Sequence, residues 1–125
     1  MSNSKLLTDY LKFELLGETQ EVFAVLCLDA SLRKISFKKM FYGSINSCEI
    51  SINQILRFSI NQYATSIVIA HNHPFGQARP SPADLILTQQ IKTACDLVEI
   101  KLIDHCIISS EGTFSFAEQQ LINVD

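Results

Sequence analysis

One stretch of the chain, in which an apolar run leads through a stiff polar loop into a capped helix, constrains the fold more than any other. Residues 66–70 are mostly apolar, and residues 71–84 read His-Asn-His-Pro-Phe-Gly-Gln-Ala-Arg-Pro-Ser-Pro-Ala-Asp. All three prolines of the chain lie in this loop, where they restrict the backbone. Ser81 suits a helix N-cap, followed by Pro82 at the first helical position and Asp84 at the third. The pattern predicts a buried strand, a rigid connection and a helix from residue 82 to about residue 98.

The rest of the chain alternates extended and helical patterns. Apolar positions recur at helical spacing in residues 4–16 and 51–64. Strands are predicted over residues 21–28, 34–42, 66–70, 100–109 and 113–116, with room for a short closing helix. This interleaved order predicts an α/β layered domain, and the two hairpins in it predict a mixed central sheet flanked by helices. A length of 125 residues predicts a single domain over residues 1–125.

Composition and charge exclude several classes of protein. The chain is 47% hydrophobic and 18% charged, which is typical of a protein with an ordinary apolar core. The net charge is −3 without a basic run, so no nucleic-acid footprint is visible. The N-terminal residues lack an apolar signal core, and no apolar run reaches membrane-spanning length. We therefore expect a cytoplasmic protein that does not contact a membrane; its oligomeric state is left open.

The cysteines favour a reducing compartment. Cys27, Cys48, Cys95 and Cys106 lie far apart and form no C-x-x-C pair. Such scattered positions among apolar neighbours predict free thiols, with a disulfide as the weaker alternative. They also argue against a structural zinc domain, whose ligands are usually paired cysteines.

The histidine pair at the end of the apolar run suggests a metal site. His71 and His73 are two apart, so on an extended segment both side chains project to the same face. Asp84, brought back by the helix start, offers a third and anionic ligand. Three protein ligands with a fourth position open to water are typical of catalytic zinc. The alternative is that Ser81 and Asp84 only cap the helix and that the histidines only add polarity to the loop.

These residues resemble the JAMM motif of the MPN-type metalloprotease superfamily, and most closely its RadC group. The hallmark of that group is H-N-H-P-x-G followed by P-S-x-x-D. Residues 21–29 resemble the first core strand of the group, residues 41–46 its F-x-G-S/T-L-N turn, and residues 102–108 its L-L-D-H-I-I-I strand. The resemblance covers about residues 4–122. It implies a single MPN-type domain with a mixed central sheet.

The resemblance also implies a zinc-dependent metallohydrolase that cleaves a peptide or isopeptide bond, with a peptide or protein as its substrate. His71, His73 and Asp84 match the metal ligands. Glu21 matches the glutamate that acts as general base; the residues alone do not choose it over a solvated strand-end carboxylate or over its neighbour Glu18. Ser81 matches a serine that stabilises the oxyanion.

The chain departs from the group in two segments, and two questions stay open. In the motif loop, Phe75 stands where a serine is usual, and Gln77-Ala78-Arg79 replaces a run richer in aspartate and proline. Residues 51–54 read Ser-Ile-Asn-Gln where the group has H-P-R-E. His105, the third histidine, is either a structural residue or an outer partner of the metal site. The alternative function is a non-enzymatic interaction module, associated with DNA repair through the old label of the RadC group.

Overall fold

A mixed sheet forms the centre of the molecule. The computed structural model describes residues 2–45 and 49–122, with side chains from residue 5 onward. In this part of the chain five strands lie in the order β2-β1-β3-β4-β5. Their bounds are β1 Val22–Leu28, β2 Lys34–Tyr42, β3 Ser66–Asn72, β4 Lys101–Ser109 and β5 Gly112–Ser115. β1 is antiparallel to β2 and β3, β3 is parallel to β4, and β4 is antiparallel to β5.

Helices cover both faces of this sheet. Leu11 and Leu15 of α1 (Ser2–Leu15) pack with the even-numbered residues of β1 on one face. Ile55 of α2 (Ile52–Asn61) and Ile91 of α3 (Pro82–Leu97) pack with the odd-numbered residues on the other. Since side chains alternate along a strand, β1 and β3 are buried on both faces and need apolar residues throughout. None of the helices in the described ranges is long and apolar enough to cross a membrane.

The predicted fold class is confirmed: an α/β arrangement with a mixed sheet. Most predicted bounds lie within one or two residues of the structure, and three differences bear on the fold. β3 continues through His71 and Asn72, because the ladder with β4 extends to the N–H of His73, which donates to Ile108 O at 2.8 Å. α2 ends at Asn61, and Tyr63 beyond it has a left-handed backbone (φ 57°). The short closing helix is not seen in the described residues, where 116–122 form turns.

A β-bulge in β4 decides which side chains of this strand face α3. Ile67 pairs with Leu102, but the next residue, Val68, pairs with Asp104, so Ile103 is an extra residue on β4. His105 therefore lies beside Ile69, on the face that α3 covers. Without this insertion, alternation would turn His105 toward α1.

Three chain segments meet at one end of the sheet. The carboxyl end of β3 lies beside the start of β1, because these strands are antiparallel. The loop that follows β3 returns to the N-terminus of α3, which packs on the same face of the sheet. Loops at the carboxyl end of a central strand are a common location for functional sites in α/β proteins.

Candidate metal centre at the carboxyl end of β3

His71 and His73 point their ring nitrogens at one another. The extended backbone places both imidazoles on the same face, as the spacing predicted. His71 is the last but one residue of β3 and is 1% exposed, whereas His73 is half-buried just beyond the strand. Their Nε2 atoms are 3.1 Å apart. Two ring nitrogens that converge in this way can share one bound ion.

The outer nitrogens of both rings have partners elsewhere in the protein. His73 Nδ1 lies 2.9 Å from the carbonyl oxygen of Gln77. Because a carbonyl oxygen can only accept, the ring donates from Nδ1, and the neutral ring keeps a lone pair on Nε2. His71 Nδ1 lies 2.9 Å from Nε2 of His105. The Nε2 atoms of His71 and His73 are thus the ones directed to the candidate metal position.

Glu21 reaches the histidines because of the register between β1 and β3. Phe23 is the pairing partner of His71, so extending this antiparallel register by two residues puts Glu21 opposite His73. One ligand atom each from Glu21, His71 and His73 lie within 4.8 Å of one another. Burial raises the pKa of Glu21, His73 lowers it and Asp84 raises it further. A carboxylate with a raised pKa is a better proton acceptor near neutral pH.

Asp84 caps α3 and also lies beside His71, so its position suits both of the roles that the sequence left open. Its Oδ2 accepts a hydrogen bond from the backbone N–H of Ser81 at 2.8 Å, and its own N–H donates to Ser81 Oγ at 3.1 Å. These bonds form the capping box of α3. The other oxygen, Oδ1, is 3.4 Å from His71 Nε2. The two oxygens of this buried carboxylate therefore make different contacts: Oδ2 belongs to the helix cap, and Oδ1 lies beside His71.

Burial also favours the uncharged form of His71 and of His105. Desolvation lowers the pKa of His71 to about 4, although the nearby Asp84 opposes this effect. The pKa of His105 is lowered well below its ordinary value, first by burial and then by the other two histidines. Because only an uncharged imidazole can bind a metal ion, such an environment suits a ligand.

The donor set fits zinc. Two imidazole nitrogens and carboxylate oxygens are ligands that zinc accepts. Three protein ligands, His71, His73 and Asp84, would leave the position next to Glu21 for water or substrate. The assignment of these three as ligands, and of Glu21 and Ser81 as catalytic residues, stays a prediction. Glu18, the rival of Glu21, instead forms a 2.6 Å ion pair with Lys39.

A groove lies beside this centre. Its volume is about 400 Å³, and Glu21 and His73 form part of its wall. Phe75, which departs from the group pattern, stands at its rim with 90% of its surface exposed. The other lining residues are Thr19, Gln20, Gly43, Ser44 and Pro74. Residues 51–54, the second departure, begin α2 instead, where Ser51 Oγ accepts a hydrogen bond from the N–H of Gln54 at 3.1 Å.

Two further polar residues lie near the centre. Asn72, between the two histidines, is 2% exposed and bonds to the backbone around Glu21. The sequence predicted that Asn72 points away from the two histidines and that it holds the loop by hydrogen bonds. Thr88 is 3% exposed on α3 and contacts His105. Thr88 gave no signal in the sequence, because a threonine one turn after Asp84 is ordinary in a helix.

Comparisons with known proteins agree with the motif. The family model described as "RadC-like JAB domain" matches residues 1–121. A UPF0758 protein of Acinetobacter baylyi is 64% identical over 123 residues, which cover 98% of this chain and 45% of that protein. A UPF0758 protein of Psychrobacter cryohalolentis is 46% identical over 121 residues, which cover 97% of this chain and 53% of that protein. The chain thus spans about half the length of these relatives, and the resemblance seen in the sequence is confirmed.

Proposed function

The chain belongs to the family of RadC-like JAB domains, and from this premise we propose that it is a zinc-dependent metallohydrolase that cleaves a peptide or isopeptide bond. JAB domains form a superfamily with metallohydrolase members. The observation that carries the proposal is the convergence of His71 Nε2 and His73 Nε2 at 3.1 Å, with two carboxylates beside them.

His71, His73 and Asp84 would hold the ion. A zinc ion at this position would supply Lewis-acid chemistry, since it polarises a carbonyl and lowers the pKa of water toward neutrality. Contacts within the fold hold the three side chains, and His73 is held by Gln77 O at 2.9 Å. His71 and Asp84 are almost fully buried, and the capping box fixes the carboxylate of Asp84. Such support keeps ligands in place before the ion arrives.

Glu21 would move the proton. A base must take a proton from the attacking water and later deliver it to the leaving amine. Glu21 lies within reach of both histidines, and burial raises its pKa. Its backbone carbonyl accepts a hydrogen bond from Gly43 N at 2.8 Å, so the segment before β1 is held at the site.

Ser81 would stabilise the developing oxyanion. Its Oγ accepts the capping bond from the N–H of Asp84, and accepting a bond leaves the hydroxyl proton available for another acceptor. A hydroxyl donor directed at developing negative charge lowers the barrier of acyl transfer. Capping and catalysis are therefore compatible at this one side chain.

The groove favours an extended polypeptide as substrate. Among the described residues that line the groove, only Glu21 is acidic and none is lysine or arginine, while Phe75 offers an exposed ring at the rim. A polypeptide with an uncharged side chain next to the scissile bond would match such a lining. A highly anionic ligand would find no lysine or arginine there.

Metal analysis and one isosteric variant test the proposal. We expect zinc-loaded protein to contain one zinc ion per chain and to cleave a member of a panel of peptide and isopeptide substrates. Glu21→Gln should abolish turnover while keeping zinc and fold, because it keeps the shape of the side chain but removes the proton acceptor. Glu99→Gln, at an exposed position after α3, is the matched control and should retain full activity.

The same experiment separates the alternatives. Full activity of Glu21→Gln would disprove the mechanism. A protein that binds no zinc and cleaves no substrate would favour the interaction module over the enzyme.

A further inference from the structure

A line of buried polar groups runs away from the candidate metal centre into the core. His71 Nδ1 is 2.9 Å from His105 Nε2, and His105 Nδ1 is 2.6 Å from Thr88 Oγ1. Thr88 Oγ1 is also 2.6 Å from the carbonyl oxygen of Asp84. His71, His105 and Thr88 are each at most 3% exposed. The line therefore begins at one candidate ligand and ends at the backbone of another.

Aromatic rings enclose this line. Phe116 stacks on His105 with ring centroids 4.5 Å apart and an interplanar angle of 11°. Phe23 lies against both histidines, with centroids 6.3 Å from His71 and 6.2 Å from His105. Because these apolar rings cover the two imidazoles, the polar partners of His71 Nδ1 and of both ring nitrogens of His105 are the protein groups of the line.

The protons of the line can be placed by starting from its inner end. A carbonyl oxygen has no proton, so the hydroxyl of Thr88 donates to Asp84 O. This bond uses the single proton of the hydroxyl, and Thr88 Oγ1 can then only accept from His105. The proton of the neutral His105 ring is consequently on Nδ1, and its Nε2 has a lone pair.

The same reasoning assigns the proton and the lone pair of the His71 ring. Because His105 Nε2 can only accept, His71 donates to it from Nδ1. The neutral His71 ring then has its lone pair on Nε2, the atom that faces His73 Nε2 at 3.1 Å. Every hydrogen bond from Asp84 O to His71 Nδ1 is satisfied in this arrangement, and reversing any one of these bonds would leave two acceptors facing each other. The arrangement also directs the Nε2 lone pairs of His71 and His73 at each other, 3.1 Å apart, where a bound cation would accept both.

We infer that Thr88 and His105 are positioning residues that hold His71 in the tautomer and orientation needed to bind a metal ion. The inference rests on the proposed metal site. Metal-binding histidines usually donate their second N–H to a carboxylate, a backbone carbonyl or water. Here the acceptor is another imidazole, and the state of that imidazole depends on one threonine hydroxyl. The same hydroxyl also bonds to the backbone of Asp84, so it connects two candidate ligands.

Zinc affinity of Thr88 variants tests the inference. Thr88→Val has nearly the same shape as the wild type but lacks the hydroxyl, and its zinc affinity should fall about 10–100-fold, as is typical when an outer partner of a ligand is lost. Thr88→Ser keeps the hydroxyl and should restore most of the affinity. Thr93→Val, on an exposed position of the same helix, should leave it unchanged. Competition with a chromophoric chelator measures all four proteins.

NMR of the metal-free protein gives a second and independent readout. Long-range ¹H–¹⁵N correlation spectra report which ring nitrogen of a histidine carries the proton. At about pH 8, where histidines are neutral, we expect Nδ1–H for both His71 and His105, and a mixture of tautomers for His71 in Thr88→Val. A wild-type His71 protonated on Nε2, or a Thr88→Val variant with unchanged zinc affinity, would overturn the inference.

The two experiments also distinguish this inference from the proposed function. The wild-type spectrum requires neither substrate, metal nor a variant, so it decides the tautomer even where Thr88→Val fails to fold. A failed search for hydrolysis would count against the enzyme but would leave the tautomer result intact.

Discussion

The side chain of Asn72 accepts a hydrogen bond from the backbone N–H of Val22 at 2.7 Å. Its amide nitrogen also donates to the backbone carbonyl of Gln20 at 3.0 Å. One buried amide therefore binds the main chain on both sides of Glu21. Because Asn72 lies between His71 and His73 in the sequence, it ties the proposed base to the segment that presents the proposed ligands.

Removal of this amide should weaken both the fold and the proposed activity. Asn72→Ala leaves the N–H of Val22 without its partner, and we expect the free energy of unfolding to fall by about 1–3 kcal/mol. Turnover should fall as well, because Glu21 loses its support, while zinc remains bound. Chemical denaturation and zinc analysis measure these effects. Asn53→Ala, at an exposed position of α2, is the control, and equal stability of the two variants would contradict the prediction.

Ser81→Ala should separate the capping role from the catalytic role. Loss of the N-cap should lower the free energy of unfolding by about 1 kcal/mol. If Ser81 also donates to the oxyanion, turnover should fall by a factor on the order of 10²–10³. Ser51→Ala is a matched control, because Ser51 caps α2 through the same type of bond. It should lose stability but keep turnover; equal turnover in both variants would leave Ser81 as a cap only.

The described cysteines should be unreactive in the folded protein. Cys27, Cys95 and Cys106 are buried free thiols, whereas Cys48 lies outside the described residues. Burial raises the pKa of Cys95 to about 11, and burial together with Asp104 raises that of Cys106. Because the pKa values are raised, the reactive thiolate stays scarce at pH values where an exposed cysteine is already ionised.

Alkylation followed by peptide mapping tests the prediction about the thiols. We expect these three cysteines to stay unmodified in native protein at about pH 8.5, the pKa of a free cysteine, and to react fully in denaturant. Rapid native labelling of any of the three, or a disulfide between two of them, would show that the prediction of buried free thiols is wrong.

This chain by itself should not bind duplex DNA at physiological salt. Its net charge is −3, and its sequence has no long basic run to neutralise phosphates. Fluorescence anisotropy with a labelled duplex measures the affinity. Micromolar or tighter binding that weakens steeply with added salt would contradict the prediction and would support the association with DNA repair.

The sequence alone determined the features that depend on short-range rules. The His71–His73 spacing, the Ser81–Asp84 cap and the order of strands and helices were predicted because strand alternation, helix capping and apolar periodicity act over a few residues. The predicted capping box is confirmed in detail, and the two histidines lie on one face as expected.

Only the tertiary structure decided which distant residues join the histidines. Glu21 and Glu18 could not be distinguished from the residues alone; the register of β1 against β3 brings Glu21 to His73, and Glu18 pairs with Lys39. His105 faces α3 because one extra residue in β4 reverses the alternation after Leu102. Strand register and bulges follow from packing across the whole sheet, since a shift of one residue turns every side chain to the opposite face. For this reason no local pattern could place Glu21, His105 and Thr88 around a common centre.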